Sequence, residues 1–262
     1  MSTYHKDCPQ FLAQSLESML AQTLQATEIV LVEDGPLNPE LYQIIEQYEK
    51  KLPIKKLRLP QNVGLGVALR MGIQKCKYPY IARMDSDDVS LPNRFEKQIN
   101  HLKNNPQIDV LGGWIDEFSD DIENCYAIRK VPTVHQDILK YSLWRCPINH
   151  VTAMMKKKSV TDAGNYTDFL GMEDYPLWLT MLNKGAIFEN IPEILVHVRA
   201  GTSQINRRSG LRYFKIEIRL LKFMKSNNII SYARFLLMFF LRAVPRLLPI
   251  GFQNLIYKLL RN

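Results

Sequence analysis

An α/β fold with a predominantly parallel central sheet and a basic helical extension at the carboxyl end is predicted by three observations on this 262-residue chain. Short continuous apolar runs alternate with segments of helical spacing, two of those runs end in acids, and the basic residues crowd into the last quarter. Apolar content of 46% and charged content of 23% are those of a globular protein able to bury a full core, so one large domain with an extension is expected rather than two equal ones.

The elements follow in order. Asp7 is placed to cap a helix from about Pro9 to Gln22, with Leu12, Leu16, Met19 and Leu20 on one face. Glu28 to Val32 reads as a strand covered on both faces, ending in Glu33-Asp34-Gly35-Pro36. Leu41, Ile44, Ile45 and Tyr48 give a second helix, Ile54 to Leu59 a strand, and Gly66 to Lys75 a third helix. The strand from Tyr80 to Met84 delivers Asp85, Asp87 and Asp88, and Pro92 stands where a helix carrying Phe95, Ile99 and Leu102 would open. Ile108 to Ile115 is another strand, the segment to about Met155 is mixed, Glu173-Asp174 heads a helix through Leu182, and Ile191 to Val198 is strand-like. This alternation predicts a parallel, doubly wound sheet.

Three carboxylates within four residues repel one another, and the usual compensation is a hard cation with oxygen ligands, often shared with substrate phosphates. An isolated Asp-x-Asp is more often a solvated acidic turn. Here the acids fall at a strand-to-helix crevice, where open α/β sheets bind ligands. Parallel strands would bring Glu33-Asp34 to the same edge, so one crevice can hold a base or ribose at one end and a metal-bound pyrophosphate at the other. Between them, Gln61 to Arg70 matches no phosphate-binding fingerprint and reads as a turn whose glycines permit unusual backbone angles; Arg70 is a surface side chain or one that reaches the nucleotide. Glu173-Asp174, taken alone, is an acidic first turn complementing the helix dipole.

From Arg199 onward thirteen Lys or Arg face the single acid Glu217, a net +12 that leaves the first 198 residues at −4. The apolar run Phe235 to Leu241, flanked by Arg234 and Arg242, is well short of the roughly 18 residues of a spanning helix. With the stretch from Leu247 to Leu260 it suits helices lying on an anionic membrane surface, or equally helices packed on the preceding domain. No nucleic acid is expected as a partner. No apolar leader follows Met1, and Cys8, Cys76, Cys125 and Cys146 form neither a Cys-x-x-Cys pair nor a ligand spacing with His, so the expectation is a cytoplasmic protein with reduced thiols and no zinc site.

In order and spacing, Ser2-Thr3-Tyr4, Glu33-Asp34-Gly35, Asn62-Val63-Gly64-Leu65-Gly66, Met84-Asp85-Ser86-Asp87-Asp88 and Glu173-Asp174 resemble glycosyltransferase family two over roughly residues 1–210. Cys146-Pro147-Ile148-Asn149-His150 and Ala163-Gly164-Asn165-Tyr166 add a likeness to bacterial enzymes of capsule, exopolysaccharide and O-antigen assembly. The resemblance implies a GT-A fold over residues 1–205, with a nucleotide-sugar half to about 115 and an acceptor half beyond, followed by a basic tail, 206–262. It implies inverting, metal-dependent transfer of one sugar from a nucleotide-diphosphate donor, with UDP the family expectation, to a glycan or lipid-linked oligosaccharide at the inner face of the membrane. Thr3 and Tyr4 would line the base pocket, Glu33 and Asp34 contact uracil or ribose, Asp85 and Asp87 form the motif for Mn²⁺ or Mg²⁺, with Asp87 the direct ligand and Asp85 a partner of the ribose or of the ligand shell, and Asp88 turn toward the scaffold. Asp174 would be the general base, with Glu173 positioning it or the acceptor.

Two departures stand out. Processive synthases of the family carry Gln-x-x-Arg-Trp, whereas Gln204-Ile205-Asn206-Arg207 is followed by Arg208, which argues for single-residue addition and leaves Arg207 or Arg208 as diphosphate cations. Family members also open with an apolar strand before the Ser-x-Tyr segment, and here Met1 stands directly in front of it, so the first strand is clipped by a start assigned too far downstream or by a natural truncation, and an upstream start is the expectation. His150 and His197 are acceptor contacts or structural histidines. The rival readings are a degenerate nucleotide-binding or membrane-associated module, and a sugar nucleotidylyltransferase, which would need a Gly-rich, Arg-containing loop near the amino end that this chain lacks.

Overall fold

The computed structural model describes residues 1–119, 121–169, 171–200 and 210–247, which fall in two compact units, Met1–Arg199 and Ala200–Asn262. In the first unit, β1 (Ser2–Thr3), β2 (Ile29–Glu33) and β3 (Ile54–Arg58) form a parallel three-stranded sheet in the order β1-β2-β3. The pleat of β2 explains why all five of its residues are buried. Ile29 and Leu31 join Leu12 and Leu16 of helix α1 (Pro9–Leu20) and Leu41 and Ile45 of α2 (Pro39–Glu49), while Val30 and Val32 meet Ala68 of α3 (Leu65–Lys75). Truncating Leu31, which is fully buried, to alanine would cost about 2–5 kcal/mol.

The second sheet has the order β4-β8-β6-β9-β5, with β7 also on β6; its strands are β4 (Tyr80–Ala82), β5 (Val89–Ser90), β6 (Val110–Phe118), β7 (Ala127–Arg129), β8 (Met154–Lys156) and β9 (Phe188–Arg199). Only β6 and β9 pair in parallel there; β4 with β8, β6 with β8, β6 with β7 and β5 with β9 are antiparallel. The central sheet is therefore mixed, which corrects the doubly wound parallel expectation. β7 returns antiparallel on β6 through a short loop that needs no crossover helix, whereas β4, β5 and β8 take antiparallel partners from distant segments, which the alternation along the chain does not reveal.

Helix α4 (Arg94–Asn104) begins two residues after Pro92, which sits in the preceding turn. The segment the sequence left mixed contains α5 (His135–Ser142), a 3-10 turn at His150–Thr152 and α6 (Lys157–Asp162). Helix α7 (Asp174–Asn183) is buried on most sides, with Trp178 packed edge-on against Phe188 at 5.8 Å. Helix α1 ends at Leu20, short of Gln22. The Gln22 amide instead donates to the carbonyls of Ser18 and Leu91 and accepts from Phe95 N, tying α1 to the start of α4.

The second unit contains α8 (Gly210–Ser226) and α9 (Tyr232–Met238), the latter continuing into a π turn at Phe239–Ala243 and a 3-10 turn at Val244–Leu247. The Ser231 hydroxyl caps α9 by accepting from Arg234 N at 3.3 Å. Leu236, Leu237, Phe240 and Leu241 of the predicted apolar run are exposed, whereas Met238 is buried. Among the described residues no helix is long and apolar enough to cross a membrane. Beyond Leu247 the second apolar stretch lies outside the described residues.

Candidate active site

Thr3, at the end of β1, joins the two acidic strand ends. Its carbonyl accepts from Asp34 N at 2.8 Å, and its hydroxyl donates to Asp7 Oδ2 at 2.9 Å. The same Asp7 oxygen accepts the Ser86 hydroxyl at 2.7 Å, from the middle of the Asp85-Ser86-Asp87 loop. Asp7 is thus a residue of the crevice and not the predicted cap of α1, whose N-cap position is Cys8, a side chain that makes no capping bond to the helix backbone. Tyr4 is 38% exposed beside it and donates its backbone N–H to Asp7.

Asp34 is buried, and its two oxygens accept from Val63 N at 2.7 Å and Gly64 N at 3.1 Å. It therefore fixes the glycine turn that opens α3, where Gly64 adopts φ +85°, a conformation that favours glycine. Glu33, also buried, pairs through Oε2 with Arg58 Nε at 3.1 Å, and its Oε1 has no protein partner. Arg70 lies half-buried on α3, and its carbonyl accepts from Asn165 Nδ2 at 3.3 Å.

The acid loop lies on a buried cation. Arg83, just past β4, forms an ion pair with Asp85, and burial would weaken its charge were it not held up by Asp85. Arg94, wholly buried on α4, donates to the Arg83 carbonyl at 2.9 Å and to Gln98 at 3.1 Å. Candidate ligand oxygens of Asp85, Asp87 and Asp88 lie within 4.8 Å of one another. Partial desolvation, followed by the charges of Asp85 and Asp7, pushes the Asp87 carboxyl up to about 6. Asp88 is raised well above the usual range by burial, Asp85 and Asp87, and accepts from Arg199 N at 2.9 Å. The Arg199 guanidinium closes over this loop, donating to the Asp87 carbonyl at 3.3 Å and the Ser119 carbonyl at 3.1 Å while stacking on Phe11 and Phe118 at 3.8 and 4.5 Å.

On the other side, Glu173 and Asp174 start α7. Glu173 accepts from Gly171 N at 2.9 Å, and burial raises its carboxyl above the usual range. It packs on the first turn of α3, where a Cβ on Gly66 would stand 2.9 Å from Glu173 Cγ. Asp174 accepts the Cys146 thiol at 3.3 Å. Burial pushes that thiol well up, and Asp174 adds to the effect. Desolvation holds the buried Tyr166 phenol up; Arg83 opposes that shift, and Asp174 and Asp85 add to it. Tyr166 follows the left-handed pair Gly164 and Asn165, and its hydroxyl contacts His150 Nε2 at 2.6 Å. His150 is driven well down by burial and by Arg83, so it is a neutral partner of Tyr166. His197 contacts Asp116 at 2.7 Å. Gln204, Arg207 and Arg208 lie outside the described residues.

The sequence reading took Asp7 for a helix cap, gave Arg83 and Arg199 no role in the site, and met Tyr166 only within a longer likeness. Arg83 carried a visible signal, a lone cation in an apolar strand directly before three acids. The partners of Arg199 at Asp87 and Ser119 are set by the meeting of β5, β6 and β9, which spacing does not show.

Comparison with known proteins places this geometry. The model of glycosyl transferase family 2 matches residues 1–163. An uncharacterized glycosyltransferase of Haemophilus influenzae is 42% identical over 98% of this chain and 96% of its own. The UDP-Gal:alpha-D-GlcNAc-diphosphoundecaprenol beta-1,3-galactosyltransferase of Escherichia coli is 36% identical over 98% of this chain and 94% of its own. Among solved structures, S. aureus TarS 1-349 in complex with UDP-GlcNAc is similar with a TM-score of 0.68 at 15% identity, over 94% of this chain and 70% of that one, a likeness of fold. With its mixed α/β core, its acid loop after β4 and its acidic pair at the head of α7, the chain has the GT-A fold and belongs to glycosyl transferase family 2.

Proposed function

We propose that this glycosyltransferase moves a single hexose, with inversion, from a UDP-sugar to a hydroxyl of a lipid-linked glycan during assembly of a bacterial surface polysaccharide. The observation that carries the reading is the hydrogen-bonded chain from Ser86 through Asp7, Thr3 and Asp34 to the Gly64 turn, together with the packing of Glu173 on Gly66, which lines one crevice with the acid loop, the glycine turn and the acidic head of α7. The similar Escherichia coli protein, whose name specifies a UDP-sugar donor and a diphosphoundecaprenol-linked acceptor, supports the donor and acceptor classes.

The donor set fits a hard divalent cation such as Mn²⁺ or Mg²⁺: it is all carboxylate, and burial followed by mutual repulsion raises Asp87 and Asp88, a cost a cation would relieve. Asp87 and Asp85 would hold it, and when bound it would neutralise charge on the departing diphosphate. Arg83 fixes one oxygen of Asp85 and so orients the loop. Asp34 sets the glycine turn, and the unpartnered Oε1 of Glu33 is an acceptor for a base imide or a ribose hydroxyl, with Thr3 and Tyr4 alongside. Asp174 takes the proton of the acceptor hydroxyl, and Glu173, braced on α3, positions it. Arg70, Gln204, Arg207 and Arg208 supply further donors to the diphosphate or acceptor. The exposed Leu236 and Leu237 of α9, Phe240 and Leu241 of the π turn after it, and the net positive charge of the tail suit docking on the cytoplasmic face of an anionic membrane, beside a lipid-linked substrate.

Calorimetry against UDP, GDP, dTDP and CMP, with and without Mn²⁺, tests the donor crevice. Metal-dependent binding of UDP alone, lost in Asp87→Ala, is expected. No binding of any nucleotide by folded protein overturns the reading. Slow donor hydrolysis that survives Asp174→Ala would remove Asp174 from the base role.

A further inference from the structure

A second cluster of potential ligands lies away from the acid loop. Strands β6 and β9 are in parallel register with Asp116 opposite His197, and Asp116 Oδ1 is 2.7 Å from His197 Nδ1. The loop entering β7 brings Cys125 over the same spot, with its Sγ 3.9 Å from the same Nδ1. The loop is anchored there by Tyr126 N, which donates to the Glu117 carbonyl at 2.9 Å. One ligand atom from each of the three residues lies within 4.8 Å of the others. The Asp116 side chain is buried, His197 is half-buried and Cys125 faces solvent, so the cluster has a fixed floor and an open side.

Two functions use these residue types together, and the geometry separates them. In a nucleophilic triad the carboxylate holds one imidazole nitrogen and the thiol the other. Here both neighbours stand on Nδ1, so no proton relay runs through the ring. Three donors converging on one point is instead the arrangement of a metal site. In a tetrahedral site with bonds of about 2.0–2.3 Å, neighbouring donors stand roughly 3.3–3.7 Å apart. The observed 2.7 and 3.9 Å bracket that range, so a small turn of the His197 ring and the exposed Cys125 side chain would meet it.

We propose that Asp116, Cys125 and His197 form a binding site for a zinc-class divalent transition metal, with a water in the fourth position. A thiolate, an imidazole and a carboxylate select such an ion, whereas the all-carboxylate acid loop suits Mg²⁺ or Mn²⁺. The thiol proton leaves on binding, and thiolate plus carboxylate then balance the two charges of the ion. His197 lies two residues before Arg199, and the Cys125 loop follows Ser119, whose carbonyl Arg199 contacts at 3.1 Å. Metal binding would therefore staple the loop to the end of β9 that supports Asp87 and Asp88. The cysteine spacing, read above as excluding a zinc site, could not show it, because Cys125 and His197 are 72 residues apart. The site does not rest on the proposed donor or acceptor.

The test is a spectrophotometric titration of the full-length reduced protein with Co²⁺. One equivalent should produce a thiolate-to-cobalt charge-transfer band that Zn²⁺ abolishes by competition. The band should be unchanged in Asp87→Asn, absent in Cys125→Ser, and shifted to at least tenfold higher Co²⁺ in His197→Gln. Because Cys125 is exposed, its serine variant should melt with the wild type when no metal is present. Absence of the band in wild type, or its persistence in Cys125→Ser, overturns the site. Nucleotide binding by the same proteins reads the acid loop separately, so failure here is distinguishable from failure there.

Discussion

The acid loop after β4 and the carboxylate of Glu217 on α8 show two opposite treatments of a buried negative charge. Glu217 is 1% exposed and meets Arg242 through Oε2 at 2.8 Å and Arg246 through Oε1 at 3.1 Å, with Arg246 stacked 4.6 Å over Tyr213. Both of its oxygens are matched by guanidinium groups within its own unit. Asp88, buried, and Asp87, exposed beside it, have instead been placed against other acids, and the buried cation Arg83 is engaged with Asp85. A carboxylate matched at both oxygens is a structural fastening. Carboxylates left to repel one another are stable only against something that arrives from solution.

The sharpest way to break this contrast is to remove each carboxylate in turn. Glu217→Ala removes the carboxylate that two arginines share, one at 17% and the other at 13% side-chain exposure, and should destabilise the second unit by about 3–5 kcal/mol. Limited proteolysis between α8 and the π turn would show it. Glu217→Gln keeps the volume and should lose less. A variant as protease-resistant as wild type would mean the pair contributes nothing beyond filling space.

Asp87→Asn should act in the opposite direction. A carboxyl raised to about 6 holds its proton in the folded protein over a range where the unfolded chain, with an ordinary value near 4, has released it. The unfolded state then binds fewer protons, so wild-type stability falls as pH rises from about 4 through 6. The variant escapes that loss. Its metal-free form should be more stable than wild type by about 1 kcal/mol above pH 6, a figure kept small by the screening of an exposed side chain, and equal to it near pH 4. Chemical denaturation at both pH values checks this. Adding Mn²⁺ should stabilise wild type and leave the variant unchanged; a metal response of equal size in both would place the ion elsewhere.

What the sequence made legible follows the range over which each feature is decided. The acid loop, the glycine turn and Glu173-Asp174 are local, and each is found at the end or head of the element predicted for it. The direction of strand pairing is not local: Val89 and Ser90 give no hint that they will meet His197 and Val196 antiparallel. Asp7 was misread for the same reason. Beside Pro9 it has the signature of a helix cap, but Thr3 and Ser86, the latter 79 residues away, both donate to it. Glu217 stood out as the one acid among thirteen cations, yet its clamp depends on α8 being brought back against the π turn by α9.

The gentlest test concerns the brace between the two halves of the crevice. Gly66 lies in the first turn of α3, and an added Cβ would meet Glu173 Cγ at 2.9 Å and the Thr167 carbonyl at 3.0 Å. Alanine there gains up to about 1 kcal/mol of helix propensity, while the contact with a backbone oxygen takes back a similar amount. Gly66→Ala should therefore melt within a few degrees of wild type. Glu173 cannot hold its place beside the new methyl group, and as the residue before Asp174 it would carry the head of α7 with it. The expected result is a several-fold fall in kcat with the KM for the nucleotide sugar nearly unchanged, because the acid loop is not touched. An equal rise in KM would show that the glycine turn serves the donor and not the acidic pair. Unchanged kcat would mean that the head of α7 is held by its buried Trp178 face and needs no brace from α3.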